Sequence, residues 1–208
     1  MAADIGRAAG MSVSLPNYRL APEHPHPAAV DDALAAYRAL LQSGIAANRI
    51  VVGGDSAGGG LTVATMLAAR NQGLPLPAAG VLLSPWLDLA GTGASLETLK
   101  ARDPLVTAED LQRWGKAYAG GRDLRDPLIS PLYADLKGLP PLLIHVGGDE
   151  VLLDDSLRFA RAAIAAGVEA HLEVWPRMIH VWPWFARRLT EGRQAIERIG
   201  QYIKAKTA

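Results

Sequence analysis

The sequence predicts an α/β protein with a mostly parallel β-sheet and helices on both of its faces. The first observation behind this class is an alternation: short apolar runs are separated by longer segments whose apolar residues recur at helical spacing. The second is composition, because half of the 208 residues are hydrophobic and a fifth are charged, which suffices for one domain with its own core. Strands that alternate with helices of this length favour parallel pairing.

Each element has its own signal in the chain. The apolar runs predict strands at 11–15, 50–53, 79–84, 140–146 and 169–175, and the helical spacing predicts helices at 27–42, 58–71, 152–166 and 191–206. Gly44 and Gly167 follow two of these helices and mark their ends. The stretch from Leu87 to Asp135 fits no strand, and we expect it to be a largely helical excursion near the active-site edge of a single domain over residues 1–208.

Charge and residue usage exclude several classes of function. The 21 basic and 21 acidic residues cancel and are interspersed, so we expect no nucleic-acid partner. The absence of cysteine excludes disulfides and thiolate chemistry and favours a reducing compartment. No apolar run approaches the length of a membrane span, and the first residues lack the pattern of a signal peptide, so we expect a cytoplasmic protein.

Ser56 is the first candidate for chemistry. It lies at the centre of Gly-Asp-Ser-Ala-Gly, which matches Gly-x-Ser-x-Gly and stands between a predicted strand and a predicted helix. In that context the serine occupies a strained turn, and side chains two positions away on either side are expected to collide. The helix N-terminus then offers the Ala57 N–H to a developing oxyanion. The alternative is a glycine-rich turn that binds phosphate or merely turns, but the P-loop and dinucleotide-binding patterns are absent.

A nucleophilic serine needs a base and a carboxylate that orients the base. Asp149 follows the predicted strand 140–146 and His180 follows the strand 169–175, which gives the chain order serine, acid, histidine. Because the carboxyl ends of parallel strands lie along one edge of a sheet, we expect Ser56, Asp149 and His180 to converge there.

Other residues compete for the acid and base roles. Asp154 is the second candidate for the acid, and Glu150, Asp154 and Asp155 are also candidates for helix N-caps. The remaining histidines lie in a proline-rich loop or in predicted strands, where structural roles are more usual. They are His24, His26, His145 and His171.

Five stretches between about Ser14 and Phe185 carry a family resemblance. They read NYRLAPEHPHPAAVDD, GGDSAGGGL, LLSPWLDL, DPLISPLYADLKGLPPLLIHVGGDEVLLDD and MIHVWPWF. On these motifs the chain resembles the hormone-sensitive-lipase-like esterases of the α/β-hydrolase fold, and among them the bacterial esterases and lactone hydrolases. The resemblance implies Ser56 as nucleophile, Asp149 as acid and His180 as base. It also implies cleavage of short or medium acyl esters or lactones without metal or cofactor.

One segment of that family does not occur in the 208 residues. The family carries a His-Gly-Gly-Gly segment upstream of YRLAPE, whose glycine amides form most of the oxyanion hole, and only 17 residues precede Tyr18. We therefore expect a partial α/β-hydrolase domain that lacks the first strands and the N-terminal cap, with Ala57 as the remaining oxyanion donor. The strands at 11–15 and 50–53 would then pair directly, be bridged by another chain in a homo-oligomer, or leave an unstable sheet edge.

The leading hypothesis is a serine carboxylic ester hydrolase that acts on a small-molecule ester through an acyl-enzyme. The alternative is a catalytically impaired remnant that at most binds ligands or associates with itself. A peptidase of the prolyl-oligopeptidase type shares the fold and the order of the triad but not the family stretches. For the substrate pocket we predict Trp86 and Leu87, because that strand end lies beside the serine, and we add Asp55 and Val181.

Overall fold

A parallel sheet of four strands forms the centre of the computed structural model, which describes all 208 residues. Its strands are β1 (Val51–Asp55), β2 (Ala79–Leu83), β3 (Leu142–Gly147) and β4 (Ala170–Trp175), adjacent in this order. Every residue of β2 and β3 is buried, whereas β1 and β4 are partly exposed edge strands. The predicted α/β class with a parallel sheet is confirmed.

Helices cover both faces of this sheet. They are α1 (Ala2–Ala9), α2 (Ala28–Gln42), α3 (Ala57–Asn71), α4 (Ser95–Thr98), α5 (Ala108–Ala119), α6 (Leu153–Ala165) and α7 (Thr190–Thr207), with 3₁₀ turns at Ala47–Arg49, Pro131–Tyr133 and Trp182–Phe185. On one face, α3 and α6 pack against Leu82 and Ile144, and on the other, α1 and α7 pack against Val81 and Leu143. Successive strand side chains point to opposite faces, so each central strand serves both layers. None of the helices has the length and apolar character that crossing a membrane requires.

Residues 11–15, predicted as a strand, form no strand in the structure. The segment is largely exposed and pairs with no strand of the sheet. Its alternating apolar residues give it strand propensity, but a strand needs a hydrogen-bonded neighbour to persist. Direct pairing of this segment with β1 is therefore not observed, and β1 pairs with β2 alone.

The segment from Leu87 to Asp135 lies outside the sheet and consists of α4, α5 and one 3₁₀ turn joined by loops. Its apolar residues form a small second core with Trp86 and Val151, which follow β2 and β3. The carboxylate of Asp103 also accepts a hydrogen bond from the Val151 N–H at 3.0 Å. These contacts fix the segment against the carboxyl edge of the sheet.

The turn from β1 into α3 depends on Gly54. A Cβ atom there would overlap the carbonyl group of Gly58, so the close approach of strand and helix leaves no space for a side chain. Gly59 is restricted in the same way by Pro85. Gly58 differs from the expectation, because a Cβ at that position would meet no atom within 4 Å. The two outer glycines of the motif are therefore not equivalent.

We predict that alanine at these two positions has opposite effects on stability. Gly54→Ala should lower the free energy of unfolding by about 3 kcal/mol, because an overlap with backbone atoms cannot be relieved by a rotamer change. Gly58→Ala should leave the free energy unchanged or raise it by up to about 1 kcal/mol, since alanine is the better helix former. Urea unfolding of the two purified variants measures both values, and equal losses would contradict the difference.

Candidate active site

Ser56 occupies a strained backbone conformation at the carboxyl end of β1. Its φ of 53° and ψ of −120° lie in a region that residues other than glycine rarely adopt. Hydrogen bonds maintain the conformation: the Ser56 N–H donates to the Leu83 carbonyl at 2.9 Å, and the Ser56 carbonyl accepts from the Trp86 N–H at 2.9 Å. Strain of this kind costs about 1–3 kcal/mol and persists only where the surroundings impose it. The Ser56 hydroxyl does not cap α3, so it is not engaged by the helix that it precedes.

His180 is buried and forms a hydrogen bond with a carboxylate. Its Nδ1 lies 3.2 Å from Oε1 of Glu150, whose side chain is completely buried. The second oxygen of Glu150 accepts hydrogen bonds from the Ser84 hydroxyl and the Gly147 N–H, each at 2.7 Å. An imidazole that donates from Nδ1 to a carboxylate leaves Nε2 as a proton acceptor. His180 therefore has the oriented form that a general base requires.

The structure pairs His180 with Glu150 and not with Asp149, the acid expected from the sequence. The Asp149 carboxylate instead lies 3.1 Å from Nη1 of Arg102, and its N–H donates to the Met178 carbonyl. The physical reason is the tight turn after β3, in which Glu150 folds back onto the amide of Gly147 while Asp149 points toward the 87–135 segment. Gly147 accommodates both close neighbours of this turn, because a Cβ there would overlap the Met178 carbonyl oxygen and lie 2.9 Å from Oε2 of Glu150.

Asp154 and Asp155 also lie away from the histidine. Oδ2 of Asp154 accepts from the Ser95 N–H at 2.9 Å, and Oδ2 of Asp155 accepts from the Leu87 N–H at 2.8 Å. Burial raises the pKa of the Asp155 carboxyl to about 7. Neither residue caps α6, whose N-cap position is Leu152. Both carboxylates connect α6 to the 87–135 segment.

The loop after β4 brings His180 back toward Ser56. The Val181 N–H donates to the Ser84 hydroxyl at 3.0 Å, so the loop crosses from β4 over the end of β3 to the end of β2. Ser84 directly follows Leu83, to which the Ser56 amide is bonded. Burial raises the pKa of the nearby Asp55 carboxyl, and its own backbone N–H and the imidazole of His180 partly oppose this rise.

Trp182 anchors this loop in the protein interior. Its ring is completely buried, lies 5.5 Å from the ring of Trp175 and stacks on His145 with centroids 6.3 Å apart. Val181 has a φ of 48°, which lets the chain reverse between the bond to Ser84 and the buried tryptophan. The loop that carries His180 is therefore attached to the core on both sides of the reversal.

An apolar cavity of about 200 Å³ opens beside the serine turn. Ala57, the expected oxyanion donor, and Trp86, one of the predicted pocket residues, are among the residues that line it. Asp55, Leu87 and Val181 are not. Leu87 donates its N–H to the Asp155 carboxylate, and its side chain is completely buried in the core between the sheet and helices α3 and α6. Val181 is also buried, and its N–H donates to the Ser84 hydroxyl.

The remaining walls of the cavity come from the loop before α2, which was not predicted to belong to the site, and from the 87–135 segment, which was expected near the active-site edge. The lining residues from these segments include Tyr18, Leu20, Trp114, Tyr118 and Ile129. Burial raises the pKa of Tyr118 to about 12, so its phenol is neutral. No group of three or more His, Asp and Glu side chains is arranged to hold a metal ion.

Residues 1–183 match the family model described as the alpha/beta hydrolase fold. The chain belongs to this family. An acetyl-hydrolase from Streptomyces hygroscopicus is 51% identical over 98% of this chain and 68% of its own length. An esterase from Acinetobacter venetianus is 39% identical over 96% of this chain and 66% of its own length.

Solved structures support the same grouping. An esterase of the bacterial hormone-sensitive lipase family superposes with a TM-score of 0.97 at 54% identity, covering 99% of this chain and 69% of that one. The resemblance to hormone-sensitive-lipase-like esterases is confirmed, and the chain is a carboxylesterase-type hydrolase by family. It spans about two thirds of the length of these relatives.

His145, which stacks on Trp182, is a completely buried residue of β3 whose two ring nitrogens have no hydrogen-bond partner. Burial lowers the pKa of this imidazole to about 4, opposed by Glu173, whose Oε2 lies 3.5 Å from Nε2, and assisted by Arg198. The ring is therefore neutral in the folded protein at neutral pH. In the unfolded chain it regains the ordinary value of 6.5.

We predict that His145 makes the protein less stable as the pH falls from about 6.5 to about 4. In this range the unfolded chain binds a proton that the folded protein does not, so the stability contributed by the neutral ring is complete above 6.5 and is lost toward 4. His145→Leu, which removes no hydrogen bond, should make the decrease in the free energy of unfolding smaller by an amount on the order of 2 kcal/mol at about pH 4.5. Urea unfolding of the wild type and of His145→Leu at both ends of the pH range tests this prediction. An equal decrease in the free energy of unfolding of the two proteins would refute it.

Proposed function

We propose that this chain hydrolyses carboxylic esters through an acyl-enzyme, with Ser56 as nucleophile, His180 as general base and Glu150 as the carboxylate that orients the base. The observation that carries the proposal is the buried His180–Glu150 hydrogen bond, located at the sheet edge where the strained turn presents Ser56. Glu150 replaces Asp149 in the triad expected from the sequence. Nucleophile, base and orienting carboxylate are the groups that acyl transfer requires.

The reaction follows from this arrangement. Oγ of Ser56 attacks the ester carbonyl carbon while its proton passes to Nε2 of His180, and the resulting imidazolium is stabilised by the Glu150 carboxylate. The Ala57 N–H, one of the amides that a helix leaves without an internal acceptor, stabilises the tetrahedral oxyanion at the positive end of α3. His180 then returns the proton to the departing alkoxide. A water molecule, deprotonated by His180, attacks the acyl-enzyme, and His180 then passes this proton to the departing Oγ, which releases the carboxylic acid and free Ser56.

The cavity favours esters with a short or medium acyl chain. It is apolar, has a volume of about 200 Å³ and is lined by Ala57 and Trp86, so an acyl group bound there lies beside the residue that follows the nucleophile and supplies the proposed oxyanion donor. Burying each methylene of such a chain contributes about 0.8 kcal/mol. The acetyl-hydrolase name of the Streptomyces relative points to the same size of acyl group.

The experiment that tests the proposal is hydrolysis of p-nitrophenyl acetate and butyrate by the purified 208-residue chain. Ser56→Ala removes the nucleophile and should lower kcat by about a thousandfold or more. A wild-type rate no higher than that of Ser56→Ala would contradict the proposal. The variant leaves the backbone of the turn with the same atoms, and a circular dichroism spectrum controls for its fold.

Substitutions at neighbouring positions distinguish the two acids. Glu150→Gln keeps the size of the side chain but removes the charge that stabilises the imidazolium, so kcat should fall by about 10³–10⁴-fold. Asp149→Asn removes only a partly exposed ion pair with Arg102 and should change kcat by less than about threefold. Ester hydrolysis and thermal unfolding of both variants provide the test. A large loss in Asp149→Asn with none in Glu150→Gln would return the acid role to Asp149.

A further inference from the structure

Ser84 connects the proposed acid to the loop of the proposed base. It directly follows β2, is completely buried and has a φ of 46°. Its hydroxyl donates to Oε2 of Glu150 at 2.7 Å and accepts from the Val181 N–H at 3.0 Å. Its own N–H donates to the His145 carbonyl at 2.7 Å, which fixes the residue to β3.

Both hydroxyl bonds act on groups that hold the proposed base: the Glu150 carboxylate, which is bonded to His180, and the peptide group of Val181, which follows His180. The bond to Glu150 engages Oε2 and leaves Oε1 for the imidazole, so it sets the rotation of the carboxylate relative to His180. The bond from Val181 fixes the peptide group that directly follows His180, and thereby the height of the histidine above the sheet. A hydroxyl has one proton to donate, and here that proton is directed to the carboxylate because Val181 supplies the N–H.

We propose that Ser84 is a positioning residue for the ester hydrolysis proposed above: its hydroxyl aligns Glu150 with His180 by binding the carboxylate and the histidine loop at the same time. The proposal rests on the proposed function, because positioning matters only if His180 is the base. Ser84 does not touch the substrate. Its positive φ lies among strained residues at the same edge, as expected where geometry is imposed on a side chain for a purpose beyond packing.

Ser130 provides a matched control. It is also completely buried, and its hydroxyl likewise accepts from one backbone N–H, that of Leu89 at 2.8 Å, and donates to one oxygen, the Leu124 carbonyl at 2.6 Å. Its partners belong to the 87–135 segment and not to the triad. Ser130→Ala therefore removes the same number of buried hydrogen bonds without touching Glu150 or the histidine loop.

The test compares Ser84→Ala with Ser130→Ala in thermal unfolding, in kcat and KM for p-nitrophenyl butyrate, and in the proton NMR spectrum. We expect Ser84→Ala to lose at least as much thermal stability as Ser130→Ala, because one of the two bonds lost at Ser84 goes to a buried carboxylate. Only Ser84→Ala should lose about 10- to 100-fold in kcat, with KM changed by less than about threefold, since misplacing a base affects the chemical step and not ground-state binding. The far-downfield resonance of the His180 Nδ1 proton, assigned by its loss in His180→Ala, should persist in Ser130→Ala and shift or vanish in Ser84→Ala.

A second variant keeps the test decisive if Ser84→Ala does not fold. Ser84→Gly also removes the hydroxyl but accepts the positive φ without strain, so it should fold and show the same loss. Retention of both kcat and the downfield proton in either variant would overturn the positioning role. The NMR signal needs no turnover: a wild type without ester hydrolysis would refute the proposed function, while loss of the proton in Ser84→Gly would still support the alignment of Glu150 by Ser84.

Discussion

The arrangement at the carboxyl edge of the sheet depends on one buried carboxylate, that of Glu150. Removing a carboxylate from water costs several kcal/mol unless other groups replace its hydration. Ser84, Gly147 and His180 provide that replacement through three hydrogen bonds. The donors come from the ends of β2 and β3 and from the loop after β4, so the carboxylate is satisfied only when these parts are assembled. The interaction that stabilises the edge is thus the one that orients the proposed base.

Backbone strain is concentrated at the same edge. The residues other than glycine with a positive φ are Ser56, Ser84, Arg177 and Val181. The first two directly follow β1 and β2, and the others lie in the loop after β4. Such conformations persist where surrounding contacts impose them. Here those contacts are the backbone hydrogen bonds of Ser56 with Leu83 and Trp86, the hydrogen bonds around Glu150 and the buried ring of Trp182. These contacts hold the backbone of the loops at the carboxyl edge in conformations that the loops would not adopt alone.

The outer edge of β1 has a different character. Its backbone pairs with β2 on one side only, and segment 11–15, which was predicted as a further strand, is largely exposed and unpaired. Unpaired strand edges with apolar side chains are places where another strand can add. Association of this edge with a further chain stays a prediction.

Most of the fold was predictable because its signals are local. Helical spacing and glycine stops located α2, α3, α6 and α7, and buried apolar runs located the strands of the sheet. The segment 11–15 shows the limit of this reasoning: its residues favour a strand, but strand formation requires a partner, which propensity does not supply.

The sequence by itself identified Ser56 and His180 as the candidate nucleophile and base, because the signal for each lies within a short stretch. Ser56 stands in a strand–turn–helix pattern rich in small residues, and His180 follows the last predicted strand. The sequence did not decide between Asp149 and Glu150, which are adjacent and carry the same charged group. That choice depends on the turn after β3, on the glycine at its start and on a histidine 30 residues away. The pocket walls from Trp114 and Tyr118, and the bridge through Ser84, likewise arise only when separate segments pack together. Hydrogen bonds between distant residues select one side chain over its neighbour, and only the tertiary structure brings those residues within reach.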